Sequence, residues 1–379
     1  MEWKEVRLGD ILNFRRGHDL PHSAMKPGNI PVAGSNGVIG YHDTATPIKP
    51  ILTIGRSGNV GKPYFYEEAW AHNTTLYVDD FKGNDPKFLY YLCQTMPFAN
   101  FGGGSAVPTL NRNHIHPLET KIPVKVEDQR RIASILSSLD RKIELNNKIN
   151  ADLEEMAQAI FKNWFVDFEP FKDGKFVDSE LGMIPEGWKV GTLGEFCKCL
   201  LGGTPSRSKE EYWNGDVNWI NSGEINKFRI LEASEKITEL GLAKSATKLL
   251  PKKTTVLAIT GATLGQVSLL EIDTCANQSV IGVLENAEVP YEYIYPFIKD
   301  RIEMLIQHQT GGAQQHINKD NVESLIFLLP AINVLEDYIS LVSPMYKRIE
   351  SQCFENLYLS LLRDTLLPRL MSGELEVPE

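Results

Sequence analysis

The sequence predicts an α+β chain built from two duplicated, mostly-β domains. Each is followed by a long helix, and the two helices pair as an antiparallel coiled coil. Two observations lead there. The first is internal repetition: Trp3-Lys4, Leu8-Gly9-Asp10 and Gly17 recur, equally spaced, as Trp188-Lys189, Leu193-Gly194-Glu195 and Gly202. Gly61, Asn73 and Pro86 then match Gly265, Asn277 and Pro290. Gly104, Asn111, Leu118 and Pro123 match Gly311, Asn318, Leu325 and Pro330 in the same order. Such a period far exceeds the roughly 20–50 residues of solenoid repeats, so one whole domain has been copied. The second observation is a heptad seam that closes each copy.

The first domain, 1–124, is rich in Gly, Pro, β-branched and aromatic residues. Apolar runs such as Pro50–Ile54, and Thr255–Ile259 in the copy, read as buried strands between turns. Helices are expected near Pro86–Met96 and Pro290–Gln307. The helical spacer, 125–168, carries no Pro or Gly from Glu127 to Val166. A 4-3 spacing picks out Ile132, Leu136, Leu139, Ile143, Asn146, Asn150, Leu153, Ala157, Ile160 and Trp164, a seam on the order of 50 Å long. A linker, 169–187, breaks the pattern, and the second domain follows over 188–331. The C-terminal spacer, 332–375, repeats the seam as Tyr338, Val342, Met345, Ile349, Gln352, Asn356, Leu359, Arg363, Leu366 and Leu370. Pro344 is expected to kink or delay this helix, and Arg363 is an awkward seam residue. Asn146 and Asn150 are expected to face Gln352 and Asn356, where polar groups set register at a cost in stability. The architecture expected is a pseudo-two-fold dumbbell.

Composition narrows the function. With 379 residues, 42% hydrophobic and 23% charged, the chain reads as a globular protein of more than one domain. No apolar run approaches a membrane span and the start MEWKEVRLGD lacks a signal-peptide shape, so the cytoplasm is expected. Five cysteines form no metal spacing, and reduced structural thiols are expected. A net charge of −10 argues against indiscriminate polyanion binding but permits a local basic face.

Catalytic signatures are missing. The closest approach to a phosphate loop, Gly55 to Pro63, has an extra residue before Gly61-Lys62 and Pro63 where Ser or Thr must ligate magnesium. Gly102-Gly103-Gly104 and Gly311-Gly312 do not follow strands in a dinucleotide-binding pattern. No amine-methylation or helicase motif occurs, and Glu119-Thr120-Lys121 lacks the upstream partner of a nuclease site. The eight histidines are scattered without metal-ligand spacing. No catalytic residue, metal or cofactor is expected.

What remains is a set of polar residues in Gly-punctuated loops. The first domain offers Arg15 and Arg16, then Arg56, Ser57, Asn59 and Lys62, then Asn111, Arg112, Asn113 and His114. The second offers Arg207, Ser208 and Lys209, then Thr260, Thr263 and Gln266, then Gln314, Gln315, His316, Asn318 and Lys319. Arg suits guanine and Asn or Gln suits adenine through paired hydrogen bonds, while Lys and Ser suit phosphates. Taken singly, each also reads as a solvated loop or turn cap. As a set they stand out because scaffold positions repeat while the tips change: Arg56-Ser57 aligns with Thr260-Gly261. Asn73 and Asn277 recur unchanged and read as structural.

Three stretches carry a family likeness. One runs from Ile122-Pro123 through Asp128-Gln129-Arg130-Arg131-Ile132 to Ile160-Phe161-Lys162-Asn163-Trp164-Phe165-Val166-Asp167-Phe168. The second is Met183-Ile184-Pro185-Glu186-Gly187-Trp188-Lys189 with Gly202-Gly203-Thr204-Pro205-Ser206. The third is Leu366-Leu367-Pro368-Arg369-Leu370-Met371-Ser372-Gly373-Glu374-Leu375. In this order and with the duplication, the chain resembles, over essentially its whole length, the specificity subunit of type I restriction–modification systems. Asp128-Gln129 has no counterpart in Leu335-Glu336-Asp337-Tyr338, which leaves the start of the second helix open.

The resemblance implies two target-recognition domains, each reading one half of a bipartite, asymmetric DNA site, with a gap set by the helices. It implies two modification subunits that methylate adenine with S-adenosylmethionine, and two ATP-dependent restriction subunits. The chain itself would bind double-stranded DNA and no cofactor. An orphan subunit serving a solitary methylase fits equally well. A structural coiled-coil adaptor that binds only proteins, or a nuclease or methylase with degenerate motifs, are the readings from other classes.

Overall fold

The computed structural model describes residues 1–103, 108–307 and 316–377. Its contacts divide into two compact units: Met1–Glu144 with Leu357–Glu379, and Leu145–Asn356. The divisions fall within the two long helices, Val126–Phe165 and Ile332–Met371, each of 40 residues.

In the first unit, Trp3–Arg7 pairs antiparallel with Glu119–Pro123 and ties the two ends of the β-rich region together. A four-stranded sheet runs in the order Asn13–Arg16, Thr75–Asp80, Ile51–Gly55, Pro63–Tyr66. Ile51–Gly55 is buried along its length, as its unbroken apolar run requires. A second sheet sets Ile30–Gly34 between Gly37–His42 and Trp70–Ala71, the latter parallel. The helix Pro86–Thr95 starts where expected: Asp85 accepts from the Phe88 N–H at 2.8 Å, and Pro86 occupies the first turn.

The second unit repeats this plan. Lys189–Thr192 pairs with Ile326–Leu329. One sheet runs Lys198–Leu201, Val280–Leu284, Thr255–Ala258, Val267–Leu270, with Arg229–Ile230 added at its edge. In the other, Trp213–Ile220 lies parallel to Thr274–Ala276. The helix Tyr291–Gln307 is the longer counterpart of Pro86–Thr95. Repeated glycines have a steric cause. A Cβ on Gly17 would lie 2.1 Å from the His72 carbonyl oxygen, and one on Gly202 2.1 Å from that of Asn277. The segment after the first long helix is packed rather than loose: Phe168 and Phe171 stack edge-on against Trp188 at 5.6 and 5.1 Å.

No seam position predicted in either helix is exposed. Within the first unit, Ile132 and Leu136 share a core with Leu367, Leu370 and Met371. Within the second, one stretch of the seam is polar, and its contacts run antiparallel. Gln352 Nε2 donates to Asn146 Oδ1 at 3.0 Å, Asn146 Nδ2 donates to Asn356 Oδ1 at 2.8 Å, and Asn150 reaches Cys353 Sγ at 3.5 Å. The facing of Asn146 and Asn150 toward Gln352 and Asn356 is therefore right in kind, with Cys353 taking the second contact.

Two expectations need correction. Pro344 does not delay the second helix, which begins at Ile332. Pro344 is exposed, so the carbonyl it leaves unbonded faces water, while buried Tyr338, Val342, Tyr346 and Ile349 hold the surrounding turns. Arg363 is not a misfit either: it pairs with Asp140 at 2.8 Å, and Tyr91 donates to the other oxygen of that carboxylate.

A buried ionic network lies inside the second unit. Arg229, 4% exposed, pairs with Glu154 of the first long helix at 2.7 Å and lies 3.9 Å from Glu271. Lys299 also binds Glu154, while Lys253 binds Glu271 and, at 2.9 Å, Glu350 of the second long helix. Burial opposes the Arg229 charge, yet Tyr295 and Glu154 hold its affinity for the proton above the ordinary value. Burial likewise works against the Glu154 carboxylate, and Arg229 and Lys299 override it to depress that carboxyl.

Candidate nucleic-acid interface

Four chain segments meet in the first unit to form a basic cleft. Arg15 and Arg16 end the strand Asn13–Arg16, opposite Tyr77 and Leu76. Arg56 follows the buried strand Ile51–Gly55. Its N–H donates to the Thr74 carbonyl at 2.8 Å and its carbonyl accepts from Leu110 at 2.8 Å. Ser57 bridges Thr109, and Asn111 caps the short helix Arg112–Ile115 by accepting from the Asn113 N–H at 3.0 Å. The result is a cleft of about 460 Å³ lined by Arg15, Arg16, Arg56, Leu76, Asn111 and Arg112, with Thr109 and Leu110 beside them.

The four guanidiniums are not equivalent. Arg15 pairs with Asp79 at 3.2 Å, Arg16 lies 3.9 Å from Asp19, and Arg112 donates to the Phe14 carbonyl at 3.2 Å. Arg56 is half-buried and, among the described residues, donates only to the Asn73 carbonyl, at 3.5 Å. Burial, with the neighbouring charge of Arg16, lowers its proton affinity below the ordinary arginine value. The other candidates lie around this cleft or beyond it. Asn59, Lys62, Asn113 and His114 are exposed, Lys62 resting over the Tyr64 ring at 5.4 Å, and Ser57 is half-buried.

The second unit arranges its candidates differently. Arg207 lies over the Trp213 ring, its guanidinium carbon 3.7 Å from the ring centre, and forks onto both oxygens of Glu235. That pair raises the Arg207 guanidinium and lowers the Glu235 carboxyl. Ser208 shares a hydrogen bond with Ser206 at 2.9 Å, and Lys209 donates to the Tyr212 hydroxyl at 3.0 Å. This segment is bound to its own domain. Thr260 precedes the turn Gly261–Thr263, which Thr263 closes, while Gln266 is exposed beyond it. Asn318 caps the helix Lys319–Glu323 as Asn111 caps its counterpart, and Lys319 pairs with Glu323 at 2.8 Å. His316 is exposed; Gln314 and Gln315 lie outside the described residues.

The backbone corrects the register between copies. The Gly61 N–H donates to the Gly55 carbonyl, whereas Gly265 donates to Ala258, so the second turn is one residue longer. Arg56 accepts from Leu110 as Ile259 accepts from Ile317. The equivalent of Arg56 is therefore buried Ile259, not Thr260. Arg15 and Arg16, opposite Tyr77 and Leu76, correspond to Leu200 and Leu201, opposite Gly282 and Ile281. Sequence alone hid this because the extra residue lies between Ala258 and Gly265, ahead of the glycine by which the two copies align.

The matching family model is the type I restriction modification DNA specificity domain, which fits residues 1–155 and again 185–352. The chain belongs to this family. Among curated relatives, the type I restriction enzyme MjaIX specificity subunit of Methanocaldococcus jannaschii is 30% identical, over 77% of this chain and 70% of its own length. The HindI specificity subunit of Haemophilus influenzae is 26% identical, over 98% and 94%. The EcoR124I/EcoR124II specificity subunit of Escherichia coli is also 26% identical, over 77% and 78%. The solved S subunit of a type I system from M. genitalium superposes with a TM-score of 0.64 at 15% identity, covering 98% of this chain and 96% of that one, a likeness of fold. DNA sequence recognition is thus the function of the family to which both copies belong, and the structural-adaptor reading finds no support in it. Among the described residues, no helix is long and apolar enough to cross a membrane.

Proposed function

We propose that this chain is the sequence-reading subunit of a type I restriction–modification complex. Target-recognition domains over 1–124 and 188–331 each read one half of an asymmetric, bipartite site. Helical spacers over 125–168 and 332–375, joined through the linker 169–187, set the gap between the halves and dock two modification subunits. Those subunits supply adenine methylation from S-adenosylmethionine, and two ATP-dependent restriction subunits supply cleavage. The chain itself binds DNA, carries no cofactor and catalyses nothing; it works in the cytoplasm.

The observation that carries this reading is one fold used twice with different side chains at the same place. Identical heads would read identical halves, whereas an arginine-lined cleft and an Ile259, Leu200 and Leu201 counterpart demand different ones. Helix length supports the spacing. Forty residues reach ~60 Å at ~1.5 Å each, ample for major-groove contacts about one turn, roughly 34 Å, apart. Flipping the target base out of the stack belongs to the methylating partner.

The test is the adenine methylome of cells expressing this chain with its modification partner, against cells lacking the chain. A new motif of two short unlike blocks around a fixed gap is expected. Assembly without any new motif would refute the reading. Inserting helical turns after Asn150 should lengthen the gap and leave both blocks unchanged.

A further inference from the structure

The cleft of the first domain holds a half-buried arginine whose hydrogen-bonding capacity, among the described residues, is almost unused. Arg15 and Arg112 each have a carboxylate or carbonyl partner at 3.2 Å, while Arg16, largely exposed at the rim, comes only within 3.9 Å of Asp19. Arg56 has no carboxylate within ion-pair reach among the described residues, and its single 3.5 Å donation leaves most of the planar fork unbonded. Its backbone is fixed on both sides, through Thr74 and Leu110, and its side chain is half-buried. A side chain that springs from a fixed backbone and is half-buried loses less freedom on binding than one on an unpaired loop. The lowered proton affinity caused by burial and Arg16 agrees with a charge that lacks its counterpart.

An unengaged guanidinium fork fits two coplanar acceptors. Two parts of DNA supply them: the O6/N7 edge of guanine and a backbone phosphate. Depth separates these. Arg15 and Arg16 have 59% of their side-chain surface exposed, as suits contact with a phosphate at the rim. Arg56 stands further in, where a base edge entering the cleft would arrive. We propose that Arg56 is a specificity-determining residue that reads a guanine in the half-sequence bound by the first domain. The proposal rests on the recognition reading above. Buried Ile259 at the equivalent position of the second domain confines the requirement to one half-sequence.

The experiment compares adenine methylomes in cells expressing the modification partner with wild-type chain, R56A or R56Q. For wild type, one half-sequence should contain a guanine. In R56A that position should become degenerate, discrimination falling about 5- to 150-fold, the equivalent of ~1–3 kcal/mol. In R56Q it should become degenerate or turn to adenine, which a side-chain amide suits. The other half-sequence and the gap should stay unchanged, which certifies that the variant is folded and assembled. If R56A yields no methylation at all, R56Q carries the test. A motif unchanged in R56Q, with uniformly weaker binding and a shallower salt dependence of the purified complex, would identify a phosphate contact and overturn the proposal. So would a wild-type motif with no guanine in either half. A wild type with no bipartite motif fails the recognition reading instead, before any variant is compared.

Discussion

The two β-rich domains share a backbone nearly turn for turn, and they differ most where the backbone is most alike. Sheet order, the parallel pair in the second sheet, the glycines at 17 and 202, and the capped short helices after Asn111 and Asn318 all recur. Yet Arg15, Arg16 and Arg56 give way to Leu200, Leu201 and Ile259. Groups that close turns or fit against a backbone are held by sterics in both copies. Groups that face the cleft have no such constraint, and they are free to diverge with what each domain reads.

Attachment to the helices also differs. The second domain is held by charges removed from water, Arg229 with Glu154 and Lys253 with Glu350; the first relies on Tyr91, Asp140 and half-buried Arg363. Truncating Arg229 to Ala should therefore have the largest effect, about 3–5 kcal/mol, because Glu154 and Glu271 lose a buried counter-charge. Arg363→Ala should cost about 1 kcal/mol, in the range of exposed pairs. Chemical denaturation of both variants checks the contrast, and equal losses would erase it.

The seams differ as well: the second unit's carries a polar cluster, Asn146, Asn150, Gln352 and Asn356, among its apolar positions, whereas the first unit's is apolar apart from Arg363. Asn146→Leu should destabilise by ~1–3 kcal/mol, since Gln352 and Asn356 each lose a buried partner. The double variant with Gln352→Leu should recover part of that loss; a double-mutant cycle with no coupling would contradict the contact.

Acid should act on the second unit through Glu154. Its folded carboxyl lies below the ordinary value of 4.5, so its contribution is present above that value and is lost as pH falls through the folded one. Glu154→Gln should therefore be less stable than wild type at pH 7, and the gap should close as pH drops below about 4.5. Paired denaturation curves at pH 7 and at successively lower pH below 4.5 check this, and a gap that does not narrow with acid would contradict it.

The smallest effects should fall on exposed arginines. Arg16→Ala should lower the salt slope of DNA binding by the assembled complex by about 0.9 and leave the motif unchanged. Arg207→Ala, its fork already occupied by Glu235, should cost ~0.2–1 kcal/mol of stability with no change in that slope. A slope change in Arg207→Ala larger than in Arg16→Ala would reverse the ranking of the two domains as charge carriers.

Much of this was legible in the chain. Duplication, the two long helices and the seam positions follow from local patterns, periodicity, turn residues and repeated spacing, whereas Arg15, Arg16 and Arg112, expected in loops, lie in a strand and a short helix. These patterns survive in sequence because each is enforced within a few residues. Three things required the folded structure. One was that Arg15, Arg16, Arg56 and Arg112, scattered along the first domain, line one cleft, since only strand pairing brings them together. Another was that Arg207 is engaged by Glu235 and Trp213, and that Pro344 and Arg363 are tolerated, because partners distant in sequence decide each case. The last was the equivalence of Arg56 with Ile259, which a one-residue insertion conceals from spacing but which the hydrogen bonds to Leu110 and Ile317 reveal. Local chemistry is written residue by residue; which residues share a site depends on contacts between segments far apart in the chain, and those exist only once it has folded.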